Sequence, residues 1–457
     1  MDNYFELINQ LAFLDRCHCG PEMARAYKLL TDFYNGSRLI NYKCGEEINF
    51  WKLPPYWKCN KAILKDSKNN VIADKTRNSL EVFSYSPSFK GKVSREELDH
   101  HLLSDSRRPS NIIFHFRNQY RHWNPEWGFS IPHSIRETLS DDEYFVDIES
   151  EFDLSENFTQ ADFLHKGQKE DEYLFFGHFD HGYMVNDGLA GSVVAFEIIN
   201  RLKERNTRYS YRAFASVEIC GSVAYLHKEK NISNNLKEAL FLAFSGINSP
   251  ISYQQSFYKS SITDKAIYNL LTFSNLSTNE KYMFDHRELV GNDENVFDST
   301  GYEIPASTIL RYPFKEYHTN EDNMSITNKC RLEEIINLSM KLIDIYENDC
   351  YLSANFKGLP CLSNPDINLY MNPSLVSGIF SSQNLENFNI DNQMYRNEID
   401  FIQYNSGNLN KLMQYILRMS DGKHTLLEIA NSAKVPFIFS FAYALELEKK
   451  NLIKLNN

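Results

Sequence analysis

Between Tyr4 and Tyr34 apolar residues return at every third or fourth position, first Phe5, Ile8, Leu11 and Leu14, then Tyr27, Leu29, Leu30 and Phe33. That spacing marks one buried face of a helix, and it predicts two helices separated at Cys19-Gly20-Pro21. From about Ile40 the pattern shortens to alternating runs cut by turn residues, in INFWKLPP, CNKAILKDSKNNVIAD, SLEVFSYSP and FKGKVS. This predicts a small, mostly β segment reaching to about Pro132. EYFVDIESEF, EYLFFGHFD, GLAGSVVAFEIINRLKER and RYSYRAFASVEI then read as strand, strand, helix and strand, the order of an α/β sheet. KEALFLAFSGI adds a strand, and residues 330 to 349 add a long helix. A polar, Asn-rich passage at 381 to 400 reads as a linker, after which three helical patterns and a short apolar tail close the chain.

A length of 457 residues implies two or three domains, one of which can be an insertion. With 42% hydrophobic residues, including 27 Tyr and 32 Phe, there is ample apolar surface for a core. The 48 Lys and Arg stand against 60 Asp and Glu, and a formal charge of -12 disfavours broad attraction to nucleic acid or to an anionic membrane. The N-terminus, MDNYFELINQLAFLDR, is acidic where a secretory signal is basic, and no apolar run approaches the ~20 residues that span a bilayer. A cytoplasmic protein with no membrane partner is expected. The eight cysteines are scattered and are read as reduced thiols. Cys17-His18-Cys19 is not read as a metal site, because three adjacent ligands cannot all face one tetrahedral ion.

The chemistry concentrates in GHFDHGYMVNDGLAG, from Gly177 to Gly191. An apolar strand delivers His178 at its end, Asp180 two residues on, and Asn186-Asp187 at the mouth of an apolar helix. Strand end and helix start can thus bring an imidazole and a carboxylate to one point, the N and O donors zinc prefers. The same letters also suit a surface loop rich in His and Asp. Small residues at 188, 190 and 191 allow the helix to lie close to the sheet. Glu218 sits where the next strand gives way to a Cys220-Gly221-Ser222 turn, a place for a general base. Further on, GNDENVFDSTGYEIPA carries Asp293, and PFKEYHTNEDN carries His318 and Asp322.

Taken in order, these segments resemble the co-catalytic zinc aminopeptidase superfamily: an HxD at a strand end, a bridging Asp in an NDxxSG-like turn, a Glu before a glycine turn, and a late HTxxD. More closely, the chain is similar to a bacterial aminopeptidase-like family in which a β domain interrupts the peptidase fold and a winged helix closes the chain. FWKLPPYWKCNKAIL (50 to 64) resembles that family's W-x-V-P-x-x-W stretch, SLEVFSYSP its strand and turn, and WGFS (127 to 130) its WGFC.

The resemblance implies an α/β fold, a zinc-aminopeptidase-like mixed sheet flanked by helices. Residues 1–38 and 133–380 would form the aminopeptidase-like domain, 39–132 an inserted β domain and 400–457 a winged helix. It makes His178, Asp187 and His318 metal ligands, with Asp187 bridging, and Glu218 the catalytic base. Asp180 would hold the His178 ring through its other nitrogen, and Asp322 would do similar work near His318. Departures from the family leave alternatives open. Ile219 stands where many aminopeptidases have a second glutamate, so one or two zinc ions are possible and Glu218 itself can be a ligand. Asp180-His181-Gly182 replaces CHP, and His181 either coordinates or meets substrate. GNDEN replaces GSDER, which removes an arginine at Asn295, and Asp293 is either a ligand or a catalytic hydrogen-bonding residue, as in the one-zinc glutaminyl cyclases of this fold.

The implied activity is hydrolysis of an amide bond in a small peptide or aminoacyl conjugate by metal-activated water. Alternatives are glutaminyl-cyclase-like transfer, processing of an amide in a natural product or carbohydrate, and a catalytically inactive ligand-binding regulator acting through the winged helix. In the expected recognition helix, Pro436 to Lys450, exposed Phe437, Phe439, Phe441 and Tyr443 precede Lys449 and Lys450. DNA-reading helices present Arg, Lys, Asn or Gln instead, so nucleic acid is not expected as a partner. The expected role is a protein contact, including a homo-oligomer, or packing on the peptidase domain. The aromatic stretch from Phe114 to Phe129 reads as the core of the β segment or as a substrate wall, with Arg117 or Arg121 meeting an anionic group.

Overall fold

The computed structural model describes residues 3–274, 282–371, 379, 394–404 and 406–456. Two helices open the chain as the periodicity predicts. Asn3 caps Tyr4–Ala12 by accepting from the Phe5 amide, and Pro21 starts Pro21–Phe33, where its missing N–H costs nothing. Both bury their apolar stripe, Leu7, Ile8 and Leu11 on the first, Met23, Ala26, Tyr27 and Leu30 on the second.

They lie with the α/β body, an eight-stranded mixed sheet in the order Arg38–Lys43, Asn157–His165, Ser210–Ser216, Glu172–His178, Leu236–Ala243, Ala306–Arg311, Ile251–Gln254 and Met283–Phe284. The four strands from Ser210–Ser216 to Ala306–Arg311 run parallel, and antiparallel neighbours flank them. Every residue of Ser210–Ser216 and Glu172–His178 is buried, and the Arg212 they enclose is paired with Glu172 and Asp162. Among the described residues, no helix is long and apolar enough to cross a membrane.

Helix Leu189–Arg201 packs on this sheet at a distance only small residues permit. A Cβ at Gly191 would lie 1.9 Å from the Leu242 carbonyl oxygen, and one at Gly177 2.6 Å from the Ser192 amide. Gly191→Ala is therefore expected to push the helix off the strand and destabilise the protein by about 1–3 kcal/mol. Its denaturation midpoint would fall below that of wild type; an unchanged midpoint would contradict the close approach.

A second sheet pairs Val71–Asp74, Tyr56–Lys65, Glu143–Asp153 and Phe89–Ser94, all antiparallel, over a core that includes Trp57, Leu64, Tyr144, Val146 and Phe129. The division expected from the pattern differs at both ends. Arg38–Lys43 runs in the large sheet against Asn157–His165, and Glu143–Asp153, read as part of the α/β rhythm, is a central strand of the small one. Alternation reports that a strand is half-buried but not which sheet buries it.

The reading of the C-terminal aromatics needs correction. Phe437, Phe439, Phe441 and Tyr443 are buried, not exposed. Helix Phe437–Lys449 is docked by Asn269, whose side chain accepts from the Phe437 amide and donates to the Val435 carbonyl, while Tyr443 donates to the Leu369 carbonyl. An aromatic run with no polar stripe is the signature of a helix buried all round. The expected linker lies outside the described residues from 381 to 393. Its remainder enters helix Arg396–Tyr404, where Glu398 is buried in an ion pair with Lys341.

Candidate metal centre

His178 is the last residue of its strand, and the parallel neighbours Ser210–Ser216 and Leu236–Ala243 end beside it. The carboxyl ends of such strands open a crevice in which loops carry chemistry. Three of these loops hold left-handed backbone at non-glycine residues, His181 (φ 71°), Ile219 (φ 58°) and His318 (φ 57°). Such strain persists where packing over-determines it and gathers at functional sites. Gly188 (φ 108°) is where the helix meets the strand end; a Cβ there would lie 2.5 Å from His178 Nδ1.

Asp187 is the hub. Its Oδ1 lies 3.3 Å from His178 Nε2, and its Oδ2 lies 3.3 Å from His318 Nε2, so each carboxylate oxygen faces a different imidazole. Donor atoms of His181, Asp187 and His318 all lie within 4.8 Å of one another, and those of His178, Asp180 and His181 do so too. Asp180 pairs with His178 Nδ1 at 3.2 Å through Oδ1, as expected, and its Oδ2 lies 3.3 Å from His181 Nδ1. Asp187 Oδ2, His181 Nδ1 and Asp180 Oδ2 are shut off from solvent, and each faces another titratable group at 3.0–3.3 Å. Carboxylates and imidazoles crowded together out of water are costly to hold, and a cation is a complement that several of them can share. The donor set fits zinc.

The charges within the cluster follow from the same pairs. Burial opposes charge on Asp187, yet its bonds with His178 and then His318 hold it well below the usual carboxylate range. Burial likewise opposes a charged His178, and Asp180 followed by Asp187 overrides it and raises the imidazole. Carboxylates kept ionised in a dry site are what a divalent cation requires.

Glu218 lies at this edge with its amide donating to Asp180 Oδ1 at 3.2 Å. Its Oε2 accepts from the Tyr120 hydroxyl, and it lines the same cavity as His178 and Asp187. Asp293 is buried beside it, accepting from Ser222 Oγ at 2.6 Å and from the Ile219 amide at 2.9 Å. Burial, then the charge of Glu218, push Asp293 up to about 7. Asp322 does not face His318 as expected. It accepts from the Asn186 amide and side chain and from the Asp187 amide, at 2.8–3.0 Å, and so pins the turn that presents Asp187.

Sequence reasoning missed three residues. His18 Nε2 lies 3.0 Å from Asp180 Oδ2, so the His of the rejected Cys-His-Cys stands behind the centre instead of forming one of its own. Arg16, fully buried, donates to the carbonyls of Leu11, Phe179, His181 and Met184 and holds the loop that carries His181. Tyr120 comes from the aromatic stretch, in which Trp127 and Phe129 belong to the core of the second sheet, as one expected reading has it, whereas Phe114 packs on His181 and His318. Arg117 pairs with Glu126. A signal existed for His18 and Tyr120 in the clustering of His and aromatic residues, but none for their partners.

The cavity in front of these groups has a volume of about 330 Å³. His178, Asp187 and Glu218 line it together with Arg108 and apolar residues, among them Phe241, Phe244 and Leu289.

The chain is similar to several known proteins. A Clostridium acetobutylicum protein, named as a proposed polysaccharide-biosynthesis protein with an aminopeptidase-like domain, is 26% identical over 416 residues, which cover 90% of this chain and 87% of that one. A crystal structure from the same organism, of a proposed peptidase, superposes with a TM-score of 0.79 at 24% identity, over 99% of this chain and 96% of that one. The zinc aminopeptidase of Bacillus subtilis superposes with a TM-score of 0.51 at 12% identity, over 74% and 93% of the two chains. The large mixed sheet flanked by helices is thus the fold of the zinc aminopeptidases. The family model described as a domain of unknown function, DUF4910, matches residues 5–349, most of the chain, and the protein belongs to that family.

Proposed function

We propose that the protein is a zinc-dependent hydrolase of amide bonds, of the aminopeptidase type, acting on small peptides or aminoacyl conjugates. The observation that carries this reading is the carboxylate of Asp187 set between His178 and His318, with His181 in reach and the whole donor set out of water. Asp187, His318 and His181 would hold one ion, with His181 supplying the ligand that Ile219 cannot. His178, beside the other Asp187 oxygen, would help to hold a second ion where two bind. When bound, zinc supplies Lewis acidity toward a carbonyl oxygen and lowers the pKa of water.

The chain's own groups do the proton work. Tyr120 holds one oxygen of Glu218, which lines the cavity and there would take a proton from the attacking water and return it to the leaving amine. Asp180 and His18 hold the His178 ring from behind, and Asp322 holds the Asp187 turn. Burial of the aromatic C-terminal helix supports a packing role for that segment over nucleic-acid contact. The name of the 26% identical relative supports carbohydrate amides as a second substrate class.

The test is the metal content of freshly purified protein and of His318→Ala. We expect about one or two zinc equivalents in wild type and a sharp loss in the variant, in line with the large effect of removing a ligand. No metal in either, even after zinc is offered, would sink the proposal.

A further inference from the structure

One cation at the cavity wall has no part in the scheme above. Arg108 lines the cavity with His178, Asp187 and Glu218, and it is the one Lys or Arg among the described lining residues. Its Nη1 donates to the Tyr317 carbonyl at 2.9 Å, which fixes the guanidinium at the rim. No carboxylate among the described residues lies within ion-pair distance of it. Asp105, the acid nearest in the chain, is already engaged by Arg107, at 3.0 Å from Nε and 2.9 Å from Nη2. A guanidinium fixed through one nitrogen still presents the rest of its fork, whose geometric complement is a carboxylate or similar planar anion.

The wall between is apolar, with Phe241, Phe244, Leu289 and Phe314. At the opposite polarity, Asn292 Oδ1 is shielded from solvent and has no hydrogen-bond partner among the described residues, an acceptor left for an incoming N–H.

We infer that the cavity selects substrates bearing an apolar side chain beside an anionic group, and that Arg108 binds that group. This rests on the hydrolase reading for its substrate class but not for its test. The probes are leucyl-phenylalanine and leucyl-phenylalaninamide, which differ only in the terminal carboxylate. Binding is measured calorimetrically on the zinc-loaded Glu218→Gln protein, alone and combined with Arg108→Met or Arg108→Lys, while turnover of both peptides is measured separately with wild type.

The expected result is binding about tenfold tighter for the acid than for the amide, the size of a charge-assisted hydrogen bond. Arg108→Met should bring the ratio to about one with the amide affinity unchanged, and Arg108→Lys should restore part of it. Equal affinities for acid and amide, or a preference that survives Arg108→Met, would overturn the inference and leave the hydrolase reading untouched. An acid preference without turnover by wild type would instead overturn hydrolysis and leave the anion subsite standing. If Arg108→Met does not fold, the acid-to-amide ratio of the Arg108 protein decides by itself.

Discussion

Glu218→Gln is expected to lower kcat of the zinc-loaded protein by about 10²- to 10⁴-fold while leaving its zinc content at the wild-type level. The split follows from the geometry. Glu218 is held through its backbone amide by Asp180 and through Oε2 by Tyr120, while Asp187 is paired with His178 and His318. An amide at position 218 keeps the size and an acceptor for Tyr120 but cannot take a proton from water. Single-turnover kinetics beside elemental analysis read the two effects separately. A variant that loses zinc together with activity would make Glu218 a ligand, the alternative that the missing second glutamate at Ile219 leaves open. A variant with full activity would remove it from the chemistry.

Arg16→Met is expected to cost about 3 kcal/mol or more, from a residue with no role in the reaction. Five carbonyls, those of Leu11, Leu14, Phe179, His181 and Met184, meet its guanidinium inside the protein. Burial lowers its pKa to about 10, yet the group stays charged at neutral pH. Methionine fills much of the volume but leaves those carbonyls facing an apolar chain, and an unsatisfied buried acceptor costs ~1–3 kcal/mol. Because three of the five belong to the loop around His181, zinc affinity should fall along with the denaturation midpoint. A midpoint within about 0.5 kcal/mol of wild type would mean that the loop finds other donors. Loss of stability with unchanged zinc affinity would separate His181 from the metal.

How much of this was legible in the chain depends on the range of the interaction. The helices Tyr4–Ala12 and Pro21–Phe33, the strand ending at His178 and the close-packed helix after Gly188 were all visible as local periodicities. So were the donors: His178, Asp180, His181 and Asp187 lie within ten residues, and a strand end followed by a helix start leaves them few directions. Arg16, by contrast, meets carbonyls some 165 residues away, and His18 meets Asp180 across a similar gap. No local pattern marks a partner at that separation. Tyr120 looked like one more aromatic in a β segment, and only the fold turned its hydroxyl toward Glu218.

The sequence by itself determined where helices and strands form and which donor atoms exist, because side-chain periodicity and residue chemistry act over a few positions. Only the tertiary structure decided which sheet takes Glu143–Asp153, why the aromatics of Phe437–Lys449 are hidden, and that Asp322 serves the Asp187 turn and not His318. Sheet pairing, burial and hydrogen-bond satisfaction are settled by surfaces brought together from distant parts of the chain, where the cost of an unpaired polar group or an exposed apolar one selects the partner.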